Sequence, residues 1–371
     1  MSQEDSSENT KSPASDPSTP IAIEYKEQPV ITDQTEPTHS VLLKALAYVI
    51  WCGCVVSLGA FYGITAYTFF STFMSGTQGV MLTSFLVGVP MAMGVMVAYF
   101  SRKKKANNIL LASALSMISL SLFVFAAGAL FREGSICIVM ALGLFVPFIL
   151  LGAVIAGIVS LFKPNQSAKM FSISLLMPFA LGSIENNMET ATIRQQTLRS
   201  VYIEATPDKV WTLINFPLAI RPEELQQGFA YKIGVPYPIE ARTLQAHIGG
   251  KRQLLWQRGV HFEEEITDWQ EQRRIAWKYL FTPTSFPDGS LDDHVVIGGQ
   301  YFNLEDTAYT LQPEGSGTRL SVQVGTRVST HFNWYAGFWA KYLVADTAET
   351  ILDFYKQRAQ TAQIVAVRNQ H

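Results

Sequence analysis

Cysteine is scarce: three in 371 residues, at Cys52, Cys54 and Cys137. All three fall in one apolar stretch. Cys52 and Cys54 are two apart on a predicted helix and point in different directions, so no disulfide framework or thiolate metal centre is indicated. They read as small buried hydrophobes and leave the redox compartment open. An excess of either charge is also missing: 28 Lys and Arg stand against 30 Asp and Glu, which removes the electrostatic case for a nucleic-acid partner. No basic segment leading into an apolar core opens the chain, so no cleaved signal peptide is expected. GxSxG, Walker A, dinucleotide and kinase signatures are lacking. His247, His261, His294 and His331 are scattered without HxxxH or HExxH spacing. Neither a metal nor a cofactor is expected.

What is present is strongly partitioned. Residues 1–39 are rich in Ser, Thr, Pro, Asp and Glu and read as a disordered acidic tail, a solvated segment or a contact for a protein partner. From Val41 the character changes, and 40–184 reads as a membrane region. Val41–Met74, Val80–Phe100, Ile109–Leu130 and Ile136–Phe162 are each long enough to span a bilayer. Met170–Ile184 is shorter and carries Pro178; a span, a re-entrant segment and an interfacial helix are the alternatives, and a span is favoured. The region therefore has four to five transmembrane helices. Ser101–Lys105 is the strongest basic loop, which puts the N-terminus on the cytoplasmic side. If the fifth run spans, everything after Glu185 lies on the non-cytoplasmic face. Transport is not expected, because ionisable groups are absent from the run interiors. Gly53, Gly59, Gly63, Gly88, Gly94, Gly128, Gly143, Gly152 and Gly157 read as helix-packing positions.

After a polar connector, 185–197, a folded domain is expected over 198–360, with 361–371 as a flexible tail. It opens on Arg199–Phe216. Val201, Ile203 and Ala205 alternate with polar neighbours as in a half-buried strand. Thr206-Pro207-Asp208 then starts a helix, with the Thr206 hydroxyl as expected cap. A second short helix is expected near Pro222–Gln227. Strands are expected over Ile239–Ile248, Arg252–Arg258, Val260–Thr267, Arg274–Phe281, Gln300–Leu311 and Thr318–Val328. A closing helix runs from Asn333 to about Arg358, with Tyr335, Trp339, Tyr342 and Leu343 at helical spacing. The fold class is thus a multi-span helical membrane region followed by an α+β domain, a curved antiparallel sheet wrapped on a long C-terminal helix. Such a sheet must be covered by that helix, and a cavity commonly remains between them.

This order of elements resembles the START-like helix-grip (SRPBCC) superfamily, in its branch of polyketide cyclase/dehydrase and lipid-transport proteins. Ala205-Thr206-Pro207 and Val210-Trp211 carry the likeness at the opening. Ala230–Arg242 (AYKIGVPYPIEAR) and Phe262–Trp269 (FEEEITDW) resemble membrane-tethered bacterial members. The resemblance implies an apolar-ligand cavity under the last helix and an inner-membrane location, and it implies no single reaction.

Within that domain, Glu263, Glu264 and Glu265 form the densest acidic cluster. On a strand Glu263 and Glu265 share one face and Glu264 takes the other. A buried carboxylate here would be an acid or base of raised pKa, so Glu263 and Glu265, with His294 beside Asp292 and Asp293, are the catalytic candidates. The alternative is exposed charge paired with Arg252, Arg258 or Lys278. Arg242, Arg258 and Arg327 can reach a ligand oxyanion or form cross-strand ion pairs. Trp277, Trp339 and Tyr342 are the aromatic pocket candidates, set against a plain core role. The expected function is a membrane-anchored binding module for an apolar or amphipathic molecule, a lipid, isoprenoid or quinone, drawn from membrane lipids. The alternatives are a cyclase, dehydratase or isomerase using a cavity carboxylate, and a non-catalytic docking or signalling protein.

Overall fold

A computed structural model of the chain describes residues 37–74, 76–102, 108–162, 166–225 and 227–368. Residues 1–36 of the expected acidic tail, Lys103–Lys105 of the basic loop and Lys163 lie outside the described residues. The chain divides into two compact units, Met1–Tyr48 and Val49–His371. Helix α1 covers Pro37–Phe73, and all later elements belong to the second unit.

Among the described residues, five helices are long and apolar enough to cross a membrane. After α1 come α2 (Val89–Ser101), α3 (Ile109–Phe131), α4 (Ser135–Phe162) and α5 (Ser167–Glu185). The Met170–Ile184 run is therefore part of a fifth long apolar helix, with Pro178 inside it. The second run differs from the single helix expected. A 3-10 turn at Gly76–Met81 and a π-helical turn at Ser84–Gly88 precede α2. Freed backbone N–H groups at this break need acceptors. Glu185, at the end of α5, supplies them: its carboxylate accepts from Thr83 N at 2.7 Å and Ser84 N at 2.8 Å.

Helices α2 and α4 cross at near backbone contact, as the glycine reading requires at two positions. A Cβ on Gly94 would sit 2.0 Å from the Ile149 carbonyl oxygen, and one on Gly152 would sit 2.1 Å from that of Met91. Gly53, by contrast, has nothing within 4 Å.

The following domain is a seven-stranded antiparallel sheet in the order β1-β7-β6-β5-β4-β3-β2. Its strands are β1 (Thr192–Ile203), β2 (Pro238–Thr243), β3 (Lys251–Trp256), β4 (His261–Gln270), β5 (Arg274–Leu280), β6 (Phe302–Glu314) and β7 (Gly317–Ser329). Two short helices, α6 (Pro207–Asn215) and α7 (Phe229–Lys232), follow β1, and α8 (Asn333–Arg368) closes the domain. Strand β1 starts within the expected connector, because its full length pairs with β7 from Thr192↔Ser329 to Ile203↔Thr318. Helix α8 also runs past the expected end, through the residues read as a tail, to Arg368. Thr206 makes no side-chain cap bond. The curled sheet with α8 across it fits a helix-grip domain.

The sheet domain and the bundle share one apolar core. Val328, Phe332, Ala336 and Ala340 cluster with Phe85, Met93 and Leu144 of the bundle. Polar contacts fix the same junction: the Tyr335 hydroxyl donates to the Met140 carbonyl, and Ser135 Oγ donates to the Ile233 carbonyl at 2.5 Å. Asp292, from the β5–β6 connection, caps α4 by accepting from Gly134 N at 3.1 Å and Cys137 N at 3.0 Å. Replacing Asp292 with Ala is expected to lower the unfolding free energy by about 1 kcal/mol, the usual cost of a lost N-terminal cap. Denaturant titration of the full chain would check this.

Candidate functional site

Between the concave face of the sheet and α8 lies a cavity of about 270 Å³. Its wall on α8 includes Phe354 and Tyr355 and, ahead of them, Ala336, Ala340, Leu343, Thr347 and Ile351. These recur at steps of three and four, which places them along one stripe. Alanine at the first two of those steps keeps the helix surface low over the opening turns of α8.

On the sheet side, inward positions alternate along each strand. Phe262, Glu264 and Ile266 are buried, whereas Glu263 and Glu265 face outward. The outward pair is engaged by lysines: Glu263 lies 3.7 Å from Lys251, and Glu265 lies 3.1 Å from Lys278. The inward glutamate meets Arg252, its direct cross-strand partner on β3. Arg252 is 2% and Glu264 1% exposed, so both charges are out of water. Arg252 Nη1 stands 3.2 Å from Glu264 Oε2. The guanidinium carbon lies 4.0 Å from the centre of the Trp277 ring, and Nη2 donates to the Ile214 carbonyl at 3.0 Å.

This pair is close in distance but incompletely hydrogen-bonded. Arg252 Nε and Nη1, Glu264 Oε2 and the indole nitrogens of Trp256 and Trp277 are buried without a well-directed partner among the described residues. All four residues line the cavity. Buried polar atoms left unpaired are costly, so this set converging on the cavity is the candidate anchor for a polar group. Most of these atoms are N–H donors. They suit an oxygen acceptor on the incoming molecule.

Burial pushes the Glu264 carboxyl up to about 7, against the opposing pull of the Arg252 guanidinium and the Trp277 indole. A carboxyl with a raised folded-state value binds its proton more tightly in the folded protein. Its contribution therefore favours folding at low pH and is lost as pH rises from about 4.5 through about 7. The stability of the wild type minus that of Glu264→Gln is expected to fall across that window. Denaturation midpoints of both proteins between about pH 5 and about pH 8 would test the sign. Tyr279 also faces the cavity, with its hydroxyl 2.7 Å from Thr307 Oγ1; burial raises its pKa and keeps it protonated at neutral pH.

Of the residues singled out from the sequence, Trp277 and His294 line the cavity. The others do not. Glu263 and Glu265 lie on the wrong face of β4. Trp339 and Tyr342 fall beside the α8 cavity stripe, and Tyr342 stacks on Phe338 at 6.4 Å. Arg242 pairs with Glu240 at 3.2 Å. Arg258 sits in a loop at φ 59° and donates to the Gly234 and Ser290 carbonyls. Arg327 donates to the Gly299 and Gln300 carbonyls and so ties the β5–β6 connection to β7. Glu264 is the member of the acidic cluster that points inward, and it is paired with Arg252, one of the partners expected for that cluster. The sequence signal for Glu264 was its place midway between Phe262 and Ile266 at period two.

A second cluster lies at the junction with the bundle. Glu133 Oε1 accepts from the Tyr67 hydroxyl and lies 3.3 Å from His294 Nε2. Burial works against the Glu133 carboxylate, but His294 and Tyr67 outweigh it and hold it below the usual range. Glu133, Cys137 and Asp292 bring ligand-type atoms within 4.8 Å of one another. Asp292 caps α4, and Glu133 is engaged by Tyr67 and His294, so both carboxylates already hold structural contacts at the junction.

No family model matches the chain, and no curated protein matches it. Solved structures similar to its second part include a START superfamily protein from Mycobacterium smegmatis, 15% identical, covering 45% of this chain and 98% of that one at a TM-score of 0.30. A norcoclaurine synthase of Thalictrum, solved with a transition-state analogue, is 12% identical and covers 47% of this chain and 98% of its own at 0.29. A protein of Thermus thermophilus is 16% identical, with 45% and 99% covered at 0.28. The helix-grip description rests on the strand order and the helix laid across the sheet, not on these likenesses.

Proposed function

We propose that the protein is a membrane-anchored binding module that takes an amphipathic molecule, a lipid, isoprenoid or quinone, into the cavity between sheet and α8. One observation carries this reading: an apolar cavity whose buried Arg252–Glu264 pair and two indole N–H groups hold unsatisfied polar atoms. The apolar walls would desolvate the body of the ligand, and the donors would fix an oxygen-bearing head. The helices would span the membrane with the N-terminus inside and the sheet domain outside, the orientation the basic Arg102–Lys105 loop favours. Anchoring keeps the cavity beside the membrane that dissolves such ligands.

The full chain, purified in mild detergent, is expected to retain a lipid-like adduct in native mass spectrometry. Finding only empty protein after incubation with membrane extract would overturn the reading. Protease accessibility of the sheet domain in intact cells and spheroplasts tests the orientation.

Glu264 favours a second reading. A carboxyl near 7 inside an apolar cavity is poised for general acid–base work, as a cyclase, dehydratase or isomerase would need. Turnover of a bound ligand that stops in Glu264→Gln while binding persists would select this reading; release of the ligand unchanged would exclude it.

A further inference from the structure

A second cavity, of about 90 Å³, lies inside the helical bundle against the first. Phe123 and Ala127 of α3 and Ala141, Leu144 and Phe145 of α4 contribute to its walls. Five residues face both cavities: Met81, Met140, His294, Val295 and Phe332. These five residues stand between the two cavities. Two of them are methionines, unbranched and adaptable enough to repack around a guest.

The backbone at this partition is irregular. Met81 ends the 3-10 turn, and the π-helical turn starts at Ser84. Single π turns recur where a regular helix would misplace functional side chains. Glu185 satisfies the freed N–H groups of Thr83 and Ser84, so this irregular segment is fixed beside the partition rather than refolded into α2.

We propose that the bundle cavity is a chain-binding chamber continuous in use with the sheet cavity. This rests on the binding reading above and narrows it. The ligand is an amphiphile with one oxygen-bearing head, held by Arg252, Glu264 and the indoles. Its single long alkyl or prenyl chain passes between Met81, Met140 and Phe332 into the bundle. Affinity then depends on chain length as well as on the head. The membrane helices are part of the binding site.

The test uses the full chain in lipid nanodiscs and a benzoquinone with a ten-carbon tail bearing a terminal diazirine. Saturable photolabelling is expected on peptides covering Phe123–Phe145. Saturable label confined to sheet or α8 peptides would overturn the chamber while leaving the sheet-cavity reading intact. No saturable label anywhere would overturn both. In a parallel measurement, Ala141→Phe, which fills only the second chamber, is expected to weaken the tailed quinone about tenfold and leave the tail-less ring unchanged. Equal loss for both probes would count against the chamber, and the labelling of the wild-type chain keeps the test valid if that variant folds poorly.

Discussion

Arg252→Met is expected to lower the unfolding free energy of the protein by about 3–5 kcal/mol at about pH 8, and to abolish retention of the proposed amphipathic ligand. Removing the guanidinium leaves Glu264 as an uncompensated buried charge, and the Ile214 carbonyl loses its donor. The carboxyl escapes part of that cost by taking up a proton, so the deficit should shrink towards pH 5, within the range where Glu264 is already protonated in the wild type. The double variant Arg252→Met/Glu264→Leu separates stability from binding. Replacing a buried ion pair with apolar groups is often neutral, so stability should return to within about 1–2 kcal/mol of wild type. Ligand retention should not return, because the guanidinium proposed to hold the head oxygen is gone. Denaturant midpoints across pH, combined with native mass spectrometry of each variant, read both outcomes. Stability unchanged in the single variant would mean that the pair carries no buried charge at all.

Gly94→Ala and Gly152→Ala should each cost about 2–3 kcal/mol, towards the upper end of overpacking effects. A new methyl at either place meets a backbone carbonyl, which has no rotamer to move aside. The two substitutions act on one crossing of α2 and α4. Once the first has forced the helices apart, the second meets less resistance, so the double variant should cost less than the sum. Gly53→Ala, with open space around it, is the matched control and should stay within about 0.5 kcal/mol. Thermal unfolding in detergent, followed by size-exclusion, distinguishes these cases. A tolerated Gly94→Ala would show that the bundle is softer than its close approach implies.

Much of the architecture was legible in the sequence because hydrophobic period and length decide it. The long apolar runs, the alternation at Val201–Ala205 and the turn before Gly317 each fix an element by local chemistry alone. The break at Gly76–Gly88 was not legible, since it depends on Glu185, a residue about a hundred positions away, supplying acceptors to freed backbone donors. The site was half legible. The FEEEI segment states its own parity, Phe262 and Ile266 flanking Glu264, yet a charged residue at an inward position needs a partner to be credible. That partner, Arg252, is set by the β3–β4 register. On α8 the cavity runs along Ala336, Ala340, Leu343, Thr347 and Ile351 to Phe354 and Tyr355, and not past Trp339 and Tyr342.

Phe332 is only 3% exposed, and its apolar neighbours at the root of α8 are packed into the same cluster as the bundle core. The sheet domain is therefore not a bead on a string that can be clipped off intact. Cutting the chain before Thr192 would turn a sealed joint into a raw hydrophobic scar, and a cleaved fragment would stick to its own kind or to membrane. Proteolytic cleavage and loss of solubility would be one event, because the same buried surface joins the sheet to the helices.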